Sequence, residues 1–205
     1  DCHELVVLSF CTRTALEGQL FCGLFLGKKI YLFDSAFNPV KFFHEVEKQE
    51  INHCSMVPSM VRAILEFSKG REHKLDSLVD IIAVGEKMSE ADIQRFHQTF
   101  VNTQLLFGYG MTETGAVSFR DTSNYGEEGE FTGRIDMLDQ VKVTIADPDR
   151  GTELAGRGQK GEIVVRSPGM FSAYYKYESS HFREGKMYTG DIGLIDSGGR
   201  LYVCG

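Results

Sequence analysis

Residues 108–115 read Gly-Tyr-Gly-Met-Thr-Glu-Thr-Gly and follow directly on the run Gln104, Leu105, Leu106, Phe107. The run predicts a short buried strand. The glycines after it predict a turn in which the backbone takes positive φ or approaches a ligand closely. That turn displays an aromatic ring, hydroxyls and one carboxylate side by side. Such groups suit a nucleotide: the Tyr109 ring to stack on a base, the Thr112 hydroxyl to donate to phosphate, and the Glu113 carboxylate to hold Mg²⁺.

Two later segments belong with this one. Residues 161–175 read GEIVVRSPGMFSAYY and residues 187–205 read MYTGDIGLIDSGGRLYVCG. The octapeptide resembles the signature loop of the adenylate-forming superfamily: acyl-CoA synthetases, luciferases and the adenylation domains of peptide synthetases. The later segments resemble that family's Gly-Glu-(Ile/Leu)…Gly-Tyr and Tyr-x-(Thr/Ser)-Gly-Asp stretches, in the family's order and at roughly its spacing.

The resemblance implies an ATP-dependent ligase. Such an enzyme joins a small-molecule carboxylic acid to AMP with release of pyrophosphate, then passes the acyl group to a thiol, here coenzyme A. It implies roles residue by residue. Tyr109 stacks on adenine, Thr112 bonds the α-phosphate, Glu113 contacts Mg²⁺, and Asp191 accepts from the ribose hydroxyls, as suits an acceptor-only carboxylate. Gly110 and Met111 belong to the same nucleotide-binding loop. Val84-Gly85-Glu86-Lys87-Met88 resembles the turn whose backbone lines the adenine and acyl pocket, which adds Gly85 and Glu86 to the nucleotide-binding set. Phe10-Cys11-Thr12 stands where many acyl-CoA synthetases carry an aromatic–histidine pair, and here the histidine is missing.

Two other readings stay open. The Gly-Glu-Lys-Met turn leans toward an amino acid adenylation domain of a peptide synthetase. A non-catalytic remnant that binds a nucleotide or a partner is the other. The family's lysine-bearing phosphate loop and its C-terminal domain with a catalytic lysine are not among these residues. The chain is therefore expected to be an interior piece of a synthetase, inactive by itself.

Each side chain also has a purely structural reading. Tyr109 can pack on the sheet, Thr112 and Glu113 can cap a turn, and Asp191 can open a hairpin. Glu86 and Lys87 read as exposed charges as side chains, and His53 and His97 as structural. Gly133-Arg134 reads as a structural turn at the entry to the second half.

The elements that position these groups fall into two halves, 1–125 and 126–205. In the first, short apolar runs alternate with helical patterns: strands at Leu5–Phe10, Lys29–Phe33, Ile51–Val57, Asp80–Val84 and Gln104–Phe107. Helices are expected over Thr14–Leu26, after the Asn38 cap with Pro39 leading, from Pro58 to near Gly70, and after the Ser89 cap. This alternation predicts an α/β parallel sheet with flanking helices. The second half opens with a polar loop over 121–132 and then alternates with period two at Gln140–Ala146, Glu162–Arg166, Ile192–Ile195 and Leu201–Cys204. A short helical turn is expected near 178–183. These strands predict a small distorted β-barrel, in agreement with the resemblance.

Bulk properties fit a globular domain. Over 205 residues, 42 % are hydrophobic and 25 % charged, and the net charge is −7, which argues against nucleic acid as a partner. No apolar run approaches the roughly 20 residues of a membrane span. Five cysteines without a Cys-x-x-Cys pair argue against a disulfide framework or structural zinc and suit a reducing, cytoplasmic setting.

Overall fold

The computed structural model describes residues 2–70, 75–123, 131–154 and 156–205. The chain divides into two compact units. The first holds Asp1–Phe107 with Asp121–Glu127, and the second Gly108–Arg120 with Glu128–Gly205.

In the first unit the strands run in the order β2-β1-β3-β4-β5: β1 (His3–Val6), β2 (Lys29–Leu32), β3 (His53–Met56), β4 (Asp80–Val84) and β5 (Gln104–Met111). The pairs β1–β2, β1–β3 and β3–β4 are parallel. Helices lie between them in sequence, as parallel connections require. The helix α1 (Thr14–Phe21) is wound as a π-helix and continues as α-helix over Cys22–Phe25. The others are α2 (Pro39–Gln49), α3 (Pro58–Phe67) and α4 (Glu90–Thr99). Their starts follow from local chemistry. The Asn38 side chain accepts from the Lys41 amide at 3.3 Å, and the Ser89 hydroxyl accepts from the Asp92 amide at 3.1 Å. Each cap satisfies one of the orphan donors of a helix N-terminus. Phe42, Val46, Val61, Ile64, Ile93 and Phe96 are buried against Leu5, Met56, Ile81 and Leu105 in one core. Each such side chain contributes about 1.5–3 kcal/mol by leaving water.

The second unit is antiparallel. Its strands follow the order β6-β7-β12-β11-β9-β8: β6 (Gly115–Asp121), β7 (Gly133–Arg134), β8 (Lys142–Ala146), β9 (Gly161–Arg166), β11 (Lys186–Ile195) and β12 (Arg200–Val203). The short β10 (Phe182–Arg183) pairs with β11. Val143 and Ile145, alternate residues of β8, join Val117, Ile163, Val165, Ile195 and Leu201 in a second core.

Together the two units give a mixed α/β and antiparallel architecture. The pairing path of the second-half strands runs from the β5–β6 hairpin to β8, and no pairing joins those ends among the described residues, so the expected barrel is not shown. Three expectations need correction. The expected turn at 108–115 is largely strand, because β5 runs on to Met111 and β6 begins at Gly115. Gly133-Arg134 is a strand, bridging β6 and β12. The expected helical turn near 178–183 is instead a hairpin. Arg183 pairs with Lys186 across Glu184 and Gly185, whose φ values of 51° and 71° are those of a two-residue hairpin loop. Of the expected 121–132 loop, residues 124–130 lie outside the described residues. No helix among the described residues is long and apolar enough to cross a membrane, and all five cysteines are free thiols.

Candidate functional site

The β5–β6 hairpin carries the octapeptide. Gly108, Tyr109, Gly110 and Met111 complete β5, residues 112–114 make the turn, and the Thr114 amide closes it on the Met111 carbonyl at 3.3 Å. Of the three glycines expected to turn the chain, only Gly115 takes positive φ, at 76°. Gly110 has a different reason to be glycine: a Cβ there would overlap the Gly115 carbonyl and stand 3.0 Å from the Ala116 Cα. The close return of β6 therefore requires it.

Tyr109 projects from β5 with its ring half-buried against the second core. Its hydroxyl donates to Asp191 Oδ2 at 2.6 Å, across 82 residues of sequence. Burial, and then this bond, raise the Tyr109 pKa above its ordinary value. The ring is thereby fixed at both ends, by packing and by a charge-assisted hydrogen bond.

Asp191 owes its position to a bulge. Tyr188 pairs with Val164 and Ile192 with Glu162, so three residues of β11 face one of β9. Gly190 takes φ 80° inside this irregularity. Its amide donates to Glu162 Oε1 at 3.0 Å. The Thr189 hydroxyl donates to the Ile163 carbonyl at 2.8 Å and accepts from the Asp191 amide at 3.1 Å. Bulges re-aim a side chain in this way. Asp191 Oδ1 accepts no side-chain hydrogen bond among the described residues.

Glu113 sits at the hairpin turn, half-buried. Tyr174 donates to its Oε1 at 2.7 Å, and the Phe171 amide donates to its carbonyl at 3.2 Å. The bond to Glu113 is the main cause that raises the Tyr174 pKa. Tyr174 is itself packed edge-on against Phe171 and Phe182, with ring centroids 5.5 Å away in each case. Glu113 Oε2 is left without a hydrogen bond among the described residues. Thr112 is exposed at the same turn.

Gly85 and Glu86 follow β4 in the first unit. Gly85 has φ 91°, a conformation glycine adopts without strain. The Glu86 side chain is exposed and approaches Arg62 at 3.5 Å. His53 bonds Asp80 at 2.7 Å and His97 contacts the Thr122 hydroxyl at 2.8 Å, which agrees with structural roles for both.

The hairpin thus brings Tyr109 and Asp191 into contact and places Thr112 and Glu113 on the adjoining turn. Sequence reasoning quoted the segments that contain Glu162, Tyr174 and Thr189 without giving these residues a part. Glu162 had one visible signal, a carboxylate at the head of the apolar run Ile163, Val164, Val165. No group of three or more His, Cys, Asp or Glu side chains able to hold a metal occurs among the described residues. A single carboxylate oxygen such as Glu113 Oε2 still suits Mg²⁺, which keeps several waters and takes phosphate oxygens as its other ligands.

Known proteins resemble the chain along nearly its whole length. It is 30 % identical over 178 residues to 4-coumarate–CoA ligase-like 2 of Arabidopsis thaliana, which covers 82 % of this chain and 30 % of that protein. It is 28 % identical over 205 residues to 4-coumarate–CoA ligase 2 of Nicotiana tabacum, covering 97 % of this chain and 38 % of that one. O-succinylbenzoate coenzyme A synthetase from Bacillus subtilis, solved with AMP, superposes with a TM-score of 0.86 at 23 % identity, over 98 % of this chain and 40 % of that one. That likeness is one of fold. The chain spans about a third of the length of the curated relatives it matches. The profile of the family described as AMP-binding enzyme matches residues 4–175, and the chain belongs to that family.

Proposed function

We propose that this chain supplies the nucleotide-holding part of an ATP-dependent carboxylic acid–CoA ligase. A carboxylate oxygen of the acid attacks the α-phosphorus of ATP, the bond to pyrophosphate breaks, and an acyl-adenylate forms. The thiol of coenzyme A then attacks the acyl carbon and displaces AMP. One observation carries the reading: the Tyr109 hydroxyl bonds Asp191 at 2.6 Å, which joins the two motif segments that the reading needs at one nucleoside.

In this reading the Tyr109 ring lies against adenine, and Asp191 accepts the ribose hydroxyls through the oxygen that Tyr109 leaves open. Thr112 donates to the α-phosphate. Gly110 and Met111 shape the floor. Glu113 would hold Mg²⁺, which when bound neutralises charge on the phosphates. Because Tyr174 fixes Glu113, the carboxylate is aimed before the ligand arrives, and preorganised electrostatics of this kind contribute strongly to rate. The 4-coumarate–CoA ligases among the relatives support CoA as the thiol acceptor.

The test is kinetic, in the full protein. Glu113→Gln keeps the shape and removes the charge, and should lower kcat about 10²–10³-fold with altered Mg²⁺ dependence. Asp191→Asn should raise the KM for ATP and leave kcat near normal, since a ribose contact is made equally in ground and transition states. Unchanged Mg²⁺ dependence with near-normal kcat in Glu113→Gln returns that residue to a turn-capping role and sinks the assignment.

A further inference from the structure

Four consecutive strands of the second unit carry a basic residue on the same rung. Arg183 pairs with Lys186. Met187 pairs with Val165, so Lys186 falls opposite Arg166, and Arg166 pairs with Lys142. Directly opposed side chains of antiparallel strands lie on one face, and all four line a single cavity of about 650 Å³.

The arrangement runs against the chain's own charge of −7. Neighbouring strands are about 4.8 Å apart, well inside the Debye length of about 8 Å at physiological ionic strength. Like charges directly opposed are destabilising. Lys142, Arg166 and Lys186 make no ion pair among the described residues. Arg183 is anchored: its Nε donates to the Ser180 carbonyl at 2.6 Å and its guanidinium lies over the Tyr188 ring at 4.9 Å. Glu184 is the one carboxylate among the described residues that line the cavity. The lining also has an aromatic wall in Phe171 and Phe182, whose ring centroids are 5.6 Å apart, together with Met170.

We propose that this cavity binds a small polyphosphate anion that carries an aromatic group, of the nucleoside polyphosphate class, at a place separate from the Tyr109–Asp191 pair. Three unpaired cations on successive strands span about 10 Å. That spacing matches several charges in a row rather than a single carboxylate. The aromatic wall gives a base a face to rest on, and the volume lies within the roughly 300–1,000 Å³ of small-ligand sites. The same wall reaches the other site, because Phe171 and Phe182 both pack on Tyr174, the residue that holds Glu113.

Calorimetric titration of the protein carrying Asp191→Asn with inorganic tripolyphosphate tests the anion site apart from the nucleoside reading above. Saturable 1:1 binding that weakens with added salt is expected. Lys142→Gln/Arg166→Gln should lose at least tenfold in affinity while melting no lower than its parent without ligand, since it relieves repulsion. Absence of saturable binding, or equal affinity in the double variant, overturns the proposal. A second arm compares ADP with pyrophosphate. ADP should bind more tightly, and Phe182→Leu should erase most of that advantage. Equal affinities for the two in the parent overturn the aromatic half of the claim.

Discussion

Replacing Tyr109 by Phe removes one oxygen and keeps the ring, and so isolates the bond on which the functional reading rests. The bond is short, 2.6 Å, and its acceptor is a carboxylate. Hydrogen bonds to charged groups contribute about 1.5–3 kcal/mol net. Asp191 is half-exposed, so water recovers part of the loss at its oxygen. The expected cost of Tyr109→Phe is therefore about 1–2 kcal/mol, read by urea unfolding, with about 2–4 °C of melting temperature per kcal/mol for a chain of this size.

The same variant has a signature in pH. Burial first, and then Asp191, raise the Tyr109 pKa above its ordinary value of 10.0. A raised acid keeps its proton longer in the folded state, so the unfolded chain releases it first as pH climbs. The stability this confers is whole below about pH 10 and is lost as pH rises past the unfolded value toward the folded one. Wild-type protein should lose unfolding free energy steeply above pH 10, and Tyr109→Phe less steeply. An unchanged melting temperature together with an unchanged alkaline limb would refute the Tyr109–Asp191 bond as a feature in solution.

Gly110→Ala should cost about 1–3 kcal/mol, typical of overpacking, because its Cβ meets β6 backbone at Gly115 and Ala116 and not a movable side chain; denaturant midpoints measure it. Ser89→Ala should cost about 1 kcal/mol by leaving the Asp92 amide of α4 uncapped, and Ser89→Asn should restore it.

Much of the first unit was legible because its signals are local. The Ser89 cap, the Ile93–Phe96–Phe100 spacing and the uninterrupted Asp80–Val84 run each declare an element within a few residues. Strand β5 was cut short at Phe107 because glycine is depleted in strands, so Gly-Tyr-Gly read as a turn. Gly110 is there for a neighbour that appears only once β6 returns. Strand β6 itself went unassigned: only Gly115 stood in the signature loop, and residues 116–120 received no element. Period-two alternation announced the antiparallel strands of the second unit, but alternation fixes the faces of a strand and not whether a sheet closes. In the site, residue types at 108–115 and 187–191 suggested the chemistry. Tyr174 on Glu113 and Glu162 on Gly190 span 61 and 28 residues, and contacts at that separation leave no periodicity to read.

These long-range contacts form a reciprocal arrangement. The β5–β6 hairpin gives Tyr109 to hold Asp191 and in return has its own Glu113 held by Tyr174. Each carboxylate is pinned through one oxygen and keeps the other without a side-chain hydrogen bond among the described residues. A carboxylate oxygen on a fixed scaffold loses less rotamer freedom when a ligand arrives, and binding is weakened less by ordering. The tyrosines are suited to the task, because a phenol donates one bond along a fixed ring axis and packs its body against a core. Tyr109 rests on the second core and Tyr174 on Phe171 and Phe182. The two clamps share a hairpin but not a support, so loosening the aromatic cluster around Tyr174 should disturb Glu113 and leave the Tyr109–Asp191 bond in place.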